Sequence, residues 1–214
     1  MKRCVKWWLG TVLVMGAVLV DVRLAPSDRG ALLPAPESEI RERAHTPVAE
    51  KIVRAALAQI GTIYHPGYFD IAYPNGDLPV NRGVCTDVVI RSLRAAGHDL
   101  QKLIHEDMSQ NFGKYPARYG LRRPDTNIDH RRVPNQIAFM KRYALDLSWA
   151  TTDTQLWLPG DIVYWKMSPS LDHCGIVSNR RNPSGLPLVI HNAGTCVEED
   201  ALTCWAIVGH FRYP

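Results

Sequence analysis

Four short β-prone runs in the last third of the chain decide the predicted fold, and they read Ile162-Val-Tyr-Trp165, Cys174-Gly-Ile-Val177, Pro187-Leu-Val-Ile190 and Ala206-Ile-Val208. Turn-forming residues separate the runs, most clearly in Asn182-Pro-Ser-Gly185. Short strands divided by such turns are typical of antiparallel sheets in which successive strands pair. We therefore predict an antiparallel meander for this part of the chain.

The residues before these strands show the periodicity of helices instead. Apolar side chains recur every three or four positions in four segments, which we predict as helices at 48–60, 86–96, 100–112 and 133–147. Gly61 and Gly97 follow the first two segments, where glycine commonly ends a helix. Helices first and strands last indicate the α+β class, with N-terminal helices packed on one face of a C-terminal antiparallel β-sheet.

The composition excludes a disordered or fibrous protein. The chain has 214 residues, of which 46% are hydrophobic and 21% are charged, close to the values of globular domains. The formal net charge is +4, but residues 1–25 alone hold four basic side chains and one acidic one. The folded part is therefore nearly neutral. Because it also lacks a basic run interleaved with aromatic residues, we predict no nucleic-acid partner.

Residues 1–25 are predicted to be a secretory signal peptide or a signal anchor. Lys2, Arg3 and Lys6 precede an apolar run at 7–20, the pattern of a targeting segment. The run is shorter than the roughly 20 residues that cross a bilayer, and no clear cleavage motif follows, so both forms stay open. Either form exports the rest of the chain to the periplasm or cell envelope, with membrane contact only through an uncleaved segment.

Two further divisions of the chain follow from its composition. Residues 26–46 contain Pro26, Pro34 and Pro36 among small and charged residues, which is typical of a linker. Residues 47–214 are predicted to form one folded domain.

Three residues near predicted element ends point to nucleophilic catalysis. Cys85 directly precedes the second helix, where backbone amides and the helix dipole stabilise a thiolate. His173 opens a strand and can project toward that helix to take the thiol proton. His191 ends the next strand and Asn192 follows it, so either could orient the His173 ring. A buried structural cysteine and histidines at strand ends are the alternative interpretation.

A charged segment, Asp129-His-Arg-Arg132, offers a site for substrate recognition. Arg131 and Arg132 could clamp a substrate carboxylate through bidentate hydrogen bonds. The alternative is a solvated loop whose arginines pair with its own aspartates.

The remaining cysteines and histidines do not predict a metal site or any other cofactor. His173 and Cys174 are adjacent on a strand and point to opposite faces, which prevents a common tetrahedral site. Cys196 and Cys204 flank a short turn segment, and we predict a disulfide between them in an oxidising compartment.

The order of five fragments resembles the NlpC-type cysteine peptidases, the bacterial branch of the papain-like group. The fragments are 55–64, which ends in Gly-Thr-Ile-Tyr64, then Cys85, Pro159-Gly-Asp-Ile-Val-Tyr-Trp165, the His-x-Gly motif at His173, and the strand ending in His191. The whole chain also resembles the YijF-like family of uncharacterised exported bacterial proteins, through Val84-Cys-Thr-Asp87 and His191-Asn-Ala-Gly194 among other segments.

The resemblance implies a papain-like fold and specific roles. Cys85 would be the nucleophile, His173 the general base, His191 the orienting residue, and Tyr64 would lie near the oxyanion site. The predicted oxyanion or substrate-binding set is completed by Asp87, Arg131, Arg132 and Asn192.

The activity implied is that of an exported cysteine hydrolase cleaving an amide bond, with the peptidoglycan stem peptide as substrate. A non-catalytic cell-wall-binding module and an amide or acyl transferase on the same scaffold are the alternatives. A binding module would form no thioester. A transferase would form one, but a group other than water would resolve it.

Overall fold

The structure is a computed structural model that describes residues 46–118 and 120–214. The predicted signal segment and the linker up to residue 45 lie outside the described residues. Within the described ranges, no helix combines the length and the apolar character that a membrane span needs.

Four helices precede the main sheet: α1 (Pro47–Leu57), α2 (Cys85–Ala95), α3 (Leu100–Asn111) and α4 (Val133–Tyr143). Thr46 caps α1 by accepting a hydrogen bond from the Ala49 N–H, and Gly97 follows α2 with a positive φ of 96°. The fourth helix is shorter than predicted because residues 145–146 pair with a strand instead. Short 3₁₀ helices occupy Phe112–Lys114, Asp129–Arg131 and Thr154–Leu156.

The strands form two sheets. A parallel pair joins β1 (Ile63–Tyr64) and β2 (Arg82–Gly83). The larger sheet is antiparallel and contains β3 (Leu145–Asp146), β4 (Ile162–Ser168), β5 (Leu171–Arg181), β6 (Pro187–Asn192), β7 (Cys196–Glu199) and β8 (Ala206–Arg212).

The strand order of the larger sheet is β3-β8-β4-β5-β6-β7. Strands β4, β5 and β6 pair in succession as predicted, but β6 pairs next with β7, which the sequence did not predict, and β8 returns to pair with β4. This return places the C-terminal strand in the interior of the sheet and leaves β3 and β7 as its edges. The α+β class is confirmed.

The two faces of the large sheet are covered differently. The helices pack on the face that presents Tyr164, Cys174, Ile176 and Ile190. The opposite face carries a smaller apolar cluster whose largest members are tryptophans, and its buried residues are Trp157, Val163, Trp165, Val177, Val189 and Leu202. The predicted packing of helices on one face is therefore correct, and tryptophan side chains cover part of the other.

The predicted disulfide between Cys196 and Cys204 is wrong. Cys196 is a free thiol, fully buried in the core between helices and sheet. Leu202 and Trp205, which flank Cys204, belong to the cluster on the other face of the sheet. The sheet therefore separates the surroundings of the two residues that the sequence places near one another.

Gly175 is required by the close approach of β5 and β6. A Cβ atom at this position would lie 2.7 Å from Val189 Cγ1, 2.9 Å from the Ile190 carbonyl oxygen and 3.0 Å from His191 Cβ. These distances are too short for a side chain. The Ile190 oxygen is a backbone atom, and His191 Cβ is bonded directly to the backbone. The glycine of the His-x-Gly motif thus allows His191, its register partner, to lie directly over β5.

Gly175→Ala is expected to lower the free energy of unfolding by about 1–3 kcal/mol, the usual cost of overpacking, measured by urea denaturation. Gly113→Ala is the control, because a Cβ there meets nothing within 4 Å. Equal midpoints for the two variants would contradict the packing argument.

Candidate active site

Cys85 is the first residue of α2, and its sulfur lies at the start of the helix. The carboxylate of Asp87 accepts a hydrogen bond of 2.7 Å from the Val84 N–H and so holds the first turn. Cys85 is only 5% exposed, but it lines a cleft of about 330 Å³. The cleft is bounded by residues from the loops on either side: Tyr64, Pro66, Val84, Ile128, Arg131, Arg132, Val133, Pro134, Ser170, Leu171 and Asp172.

The structure brings together the two histidines named by the sequence. Nε2 of His173, on β5, lies 2.9 Å from Nδ1 of His191, on β6. Nε2 of His191 in turn lies 3.0 Å from Oε1 of Glu199 on β7. The three side chains form a hydrogen-bonded row across three neighbouring strands.

The thiol of Cys85 is poised to ionise. Its pKa is lowered well below the usual range, first by a hydrogen bond from the Cys174 thiol and then by the charge and hydrogen bond of the His173 ring, against the effect of burial. Burial raises the pKa of Cys174 well above its usual range. One of two neighbouring thiols is therefore stabilised as a thiolate while the other stays protonated.

Tryptophans enclose the histidines on the sheet. The Trp165 ring stacks on His173 at 5.6 Å between centroids and 21° between planes. Trp205 meets both rings edge to face, at 5.4 Å from His173 and 5.8 Å from His191. The enclosure leaves His173 only 3% exposed and His191 fully buried, which strengthens the hydrogen bond between them.

Asp87 and Arg131 form a buried ion pair, which differs from the predicted substrate clamp. Nε and Nη2 of Arg131 donate to the two carboxylate oxygens of Asp87 at 3.0 and 3.1 Å, and Nη1 donates to the Gly67 carbonyl. Both side chains are less than 5% exposed. Burial raises the pKa of Asp87, and the Arg131 charge opposes this. The guanidinium is thus committed to a buried carboxylate outside its own segment, so Arg131 fits neither the predicted substrate clamp nor the alternative of a solvated loop paired with its own aspartates.

The remaining predicted residues fall into two groups. Tyr64 and Arg132 line the cleft. Burial raises the pKa of Tyr64 to about 12, so its hydroxyl keeps its proton at neutral pH. Arg132 pairs with Asp129 at 3.4 Å. Asn192 is used differently, because its amide donates to the carbonyls of Thr62 and Gly83 and does not contact His173.

Sequence reasoning did not identify Glu199, Trp165, Trp205 or the role of Cys174. Glu199 is diagonal to His191 across β6 and β7, since His191 is paired with Val197. Only the strand register reveals such a contact. A sequence pattern that could have indicated Glu199 is a carboxylate on a neighbouring strand whose side chain points to the same face of the sheet as His191. Among the described residues, no group of three or more His, Cys, Asp or Glu side chains is arranged to hold a metal ion.

Comparison with known proteins establishes the family. The model of a domain of unknown function, DUF1287, matches residues 53–213, so the chain belongs to that family. It is 47% identical over 183 residues to the uncharacterised protein YijF of Escherichia coli (strain K12), covering 83% of this chain and 87% of that protein. The resemblance to the YijF-like family is thereby confirmed.

One solved structure is also similar to this chain. It is the crystal structure of an N-acetylmuramoyl-L-alanine amidase from Bacteroides uniformis, with a TM-score of 0.46 and 14% sequence identity. The match covers 78% of this chain and 99% of that protein.

Arg131→Met is expected to lower the free energy of unfolding by about 3–5 kcal/mol, because it leaves the Asp87 carboxylate buried without its partner. Adding Asp87→Asn should recover much of this loss, since the buried charge is then removed. Both values come from denaturant titrations of the full chain.

Arg123→Met is the matched control for this experiment. Arg123 is exposed, and its replacement should change stability by less than about 0.5 kcal/mol. If the Arg123→Met and Arg131→Met variants lost similar amounts of unfolding free energy, the loss could not be assigned to the ion pair with Asp87.

Proposed function

We propose that this protein is an exported cysteine hydrolase with a papain-like site, in which Cys85 is the nucleophile, His173 the general base and His191 the residue that orients it. The observation that carries the proposal is the convergence of a thiol with lowered pKa at a helix start and two histidines joined at 2.9 Å. A nucleophile, a base and an orienting group in this sequence are the parts that thiol catalysis needs.

The hydrogen bond between His173 and His191 determines which ring nitrogen of His173 can act as the base. Nε2 of His173 is engaged with His191, so Nδ1 is the ring nitrogen left to take the Cys85 proton. The Cys85 sulfur attacks the carbonyl carbon of the substrate amide, and the protonated His173 returns the proton to the leaving amine nitrogen. A thioester remains on Cys85. Water deprotonated by His173 then attacks it, releasing a carboxylic acid and the thiol.

Tyr64 is the proposed donor to the oxyanion that forms on the carbonyl oxygen. It lines the same cleft as Cys85, and its raised pKa keeps the hydroxyl protonated and able to donate. A donor that is already in place stabilises the developing negative charge without reorganisation. The parallel pairing of β1 and β2 supports this role, because it sets Tyr64 opposite Gly83, two residues before Cys85.

The proposed substrate is the peptide part of peptidoglycan. This rests on the motif resemblance to NlpC-type peptidases and on the basic residues at 2–6 followed by the apolar run at 7–20, a pattern that supports export to the periplasm. Arg132 lines the cleft with its side chain 17% exposed and pairs with Asp129 at 3.4 Å; we assign it to a substrate carboxylate, which would have to compete with Asp129. Arg131 is excluded from that role by its ion pair with Asp87.

Cys85→Ala is expected to abolish hydrolysis of purified peptidoglycan or soluble muropeptides, because within residues 46–118 and 120–214 no other thiol lines the cleft. Products are measured by liquid chromatography and mass spectrometry after incubation with the full chain. Cys196→Ala is the control, since Cys196 is a buried thiol that does not line the cleft, and it should keep the activity. Full activity in the Cys85 variant would eliminate the mechanism, and binding without turnover by the unmodified chain would indicate a binding module.

Cys85 is expected to react with iodoacetamide at neutral pH at least tenfold faster than Cys174. The thiolate is the reactive form, and the pKa of Cys85 is lowered whereas that of Cys174 is raised. Peptide mapping after timed quenching gives both rates from one sample. Equal rates would contradict the assignment of Cys85 as the activated thiol.

A further inference from the structure

The carboxylate of Glu199 ends the row of side chains that leads away from the proposed nucleophile. It lies 3.0 Å from His191 Nε2, and the other nitrogen of that ring lies 2.9 Å from His173 Nε2. The Glu199 side chain is 40% exposed, whereas that of His191 is 1% exposed. The row therefore begins at a solvated charge and runs inward through two buried rings.

The direction of the hydrogen bonds in this row follows from the chemistry of its members. An ionised carboxylate can only accept, so the proton on His191 lies at Nε2 and points to Glu199. Burial lowers the pKa of His191, which keeps the ring neutral and leaves a lone pair on Nδ1. That lone pair accepts from Nε2–H of His173. His173 is then left with an unprotonated Nδ1, the atom that the proposed mechanism requires.

The hydrogen-bond directions described for this row require Glu199 to be ionised. Its pKa is lowered, chiefly by the hydrogen bond from His191, against partial burial. The neighbouring carboxylate on the same strand has different partners, because Glu198 accepts from Ser178 and pairs with Arg180 at 2.8 Å. The chain thus offers two adjacent glutamates of which only one faces the histidines.

We propose that Glu199 is a positioning residue that fixes the tautomers of His191 and His173, so that the unprotonated nitrogen of His173 faces Cys85. The proposal rests on the proposed function of Cys85 and His173. Without an acceptor at position 199, His191 can carry its proton on Nδ1, which would force the opposite tautomer on His173. The base would then present N–H instead of a lone pair to the thiol.

The test is the rate of Cys85 alkylation by iodoacetamide as a function of pH, measured on the full chain without any substrate. Glu199→Ala should raise the midpoint of the profile by one pH unit or more, which is about a tenfold loss of rate below the midpoint. Glu199→Gln keeps an oxygen that can accept from His191 and should recover part of this loss. Glu198→Gln is the matched control and should leave the midpoint unchanged.

The outcomes separate this proposal from the one on which it rests. If the unmodified chain shows an ordinary thiol profile, the proposed function fails. If the midpoint of its pH profile is lowered and the profile of the Glu199→Ala variant coincides with it, only the proposed role of Glu199 fails. Nitrogen NMR of the imidazoles in the unmodified chain gives an independent answer that needs no substitution. Protons on Nε2 of both rings are expected, and a proton on Nδ1 of His191 would overturn the proposal.

Discussion

The carboxylate of Asp87 ties the start of α2 to two loops that have little regular structure of their own. It accepts from the Val84 N–H and holds the start of α2, and it pairs with Arg131, whose remaining donor reaches the Gly67 carbonyl. The hydroxyl of Thr86 returns a hydrogen bond to the Arg131 carbonyl. Pro66 from one loop and Ile128, Arg131 and Arg132 from the other line the cleft, and this one group ties both loops to the helix start.

The second half of the site depends on the spacing between β5 and β6. A histidine on each strand can share a hydrogen bond only if the strands approach closely, and Gly175 permits this because it adds no Cβ between them. The tryptophans on that face then exclude water from the paired rings. The helix supplies the proposed nucleophile and the sheet supplies the proposed base, so the proposed chemistry depends on how α2 packs on β5.

The fold class, the four helices and the strands β4, β5, β6 and β8 follow from local patterns in the sequence, because periodicity and turn residues report on backbone structure directly. Cys85, His173 and His191 were singled out for the same reason, since each stands at or near the end of an element that local patterns predict. The pairing of Asp87 with Arg131 joins positions 44 residues apart, and no local pattern records it. Glu199 required the register of β7, a strand that the sequence did not predict.

The two thiols at the centre of the site show why burial alone does not decide reactivity. Cys85 and Cys174 are both buried, and burial disfavours the charged form of each. Cys85 stands at a helix start and receives a hydrogen bond from Cys174 and the charge of His173, so its pKa falls. Cys174 has no comparable partner, and the negative charge on its neighbour raises its pKa further. The thiol of raised pKa therefore acts as a donor to the thiol of lowered pKa, and the two cysteines work as a unit.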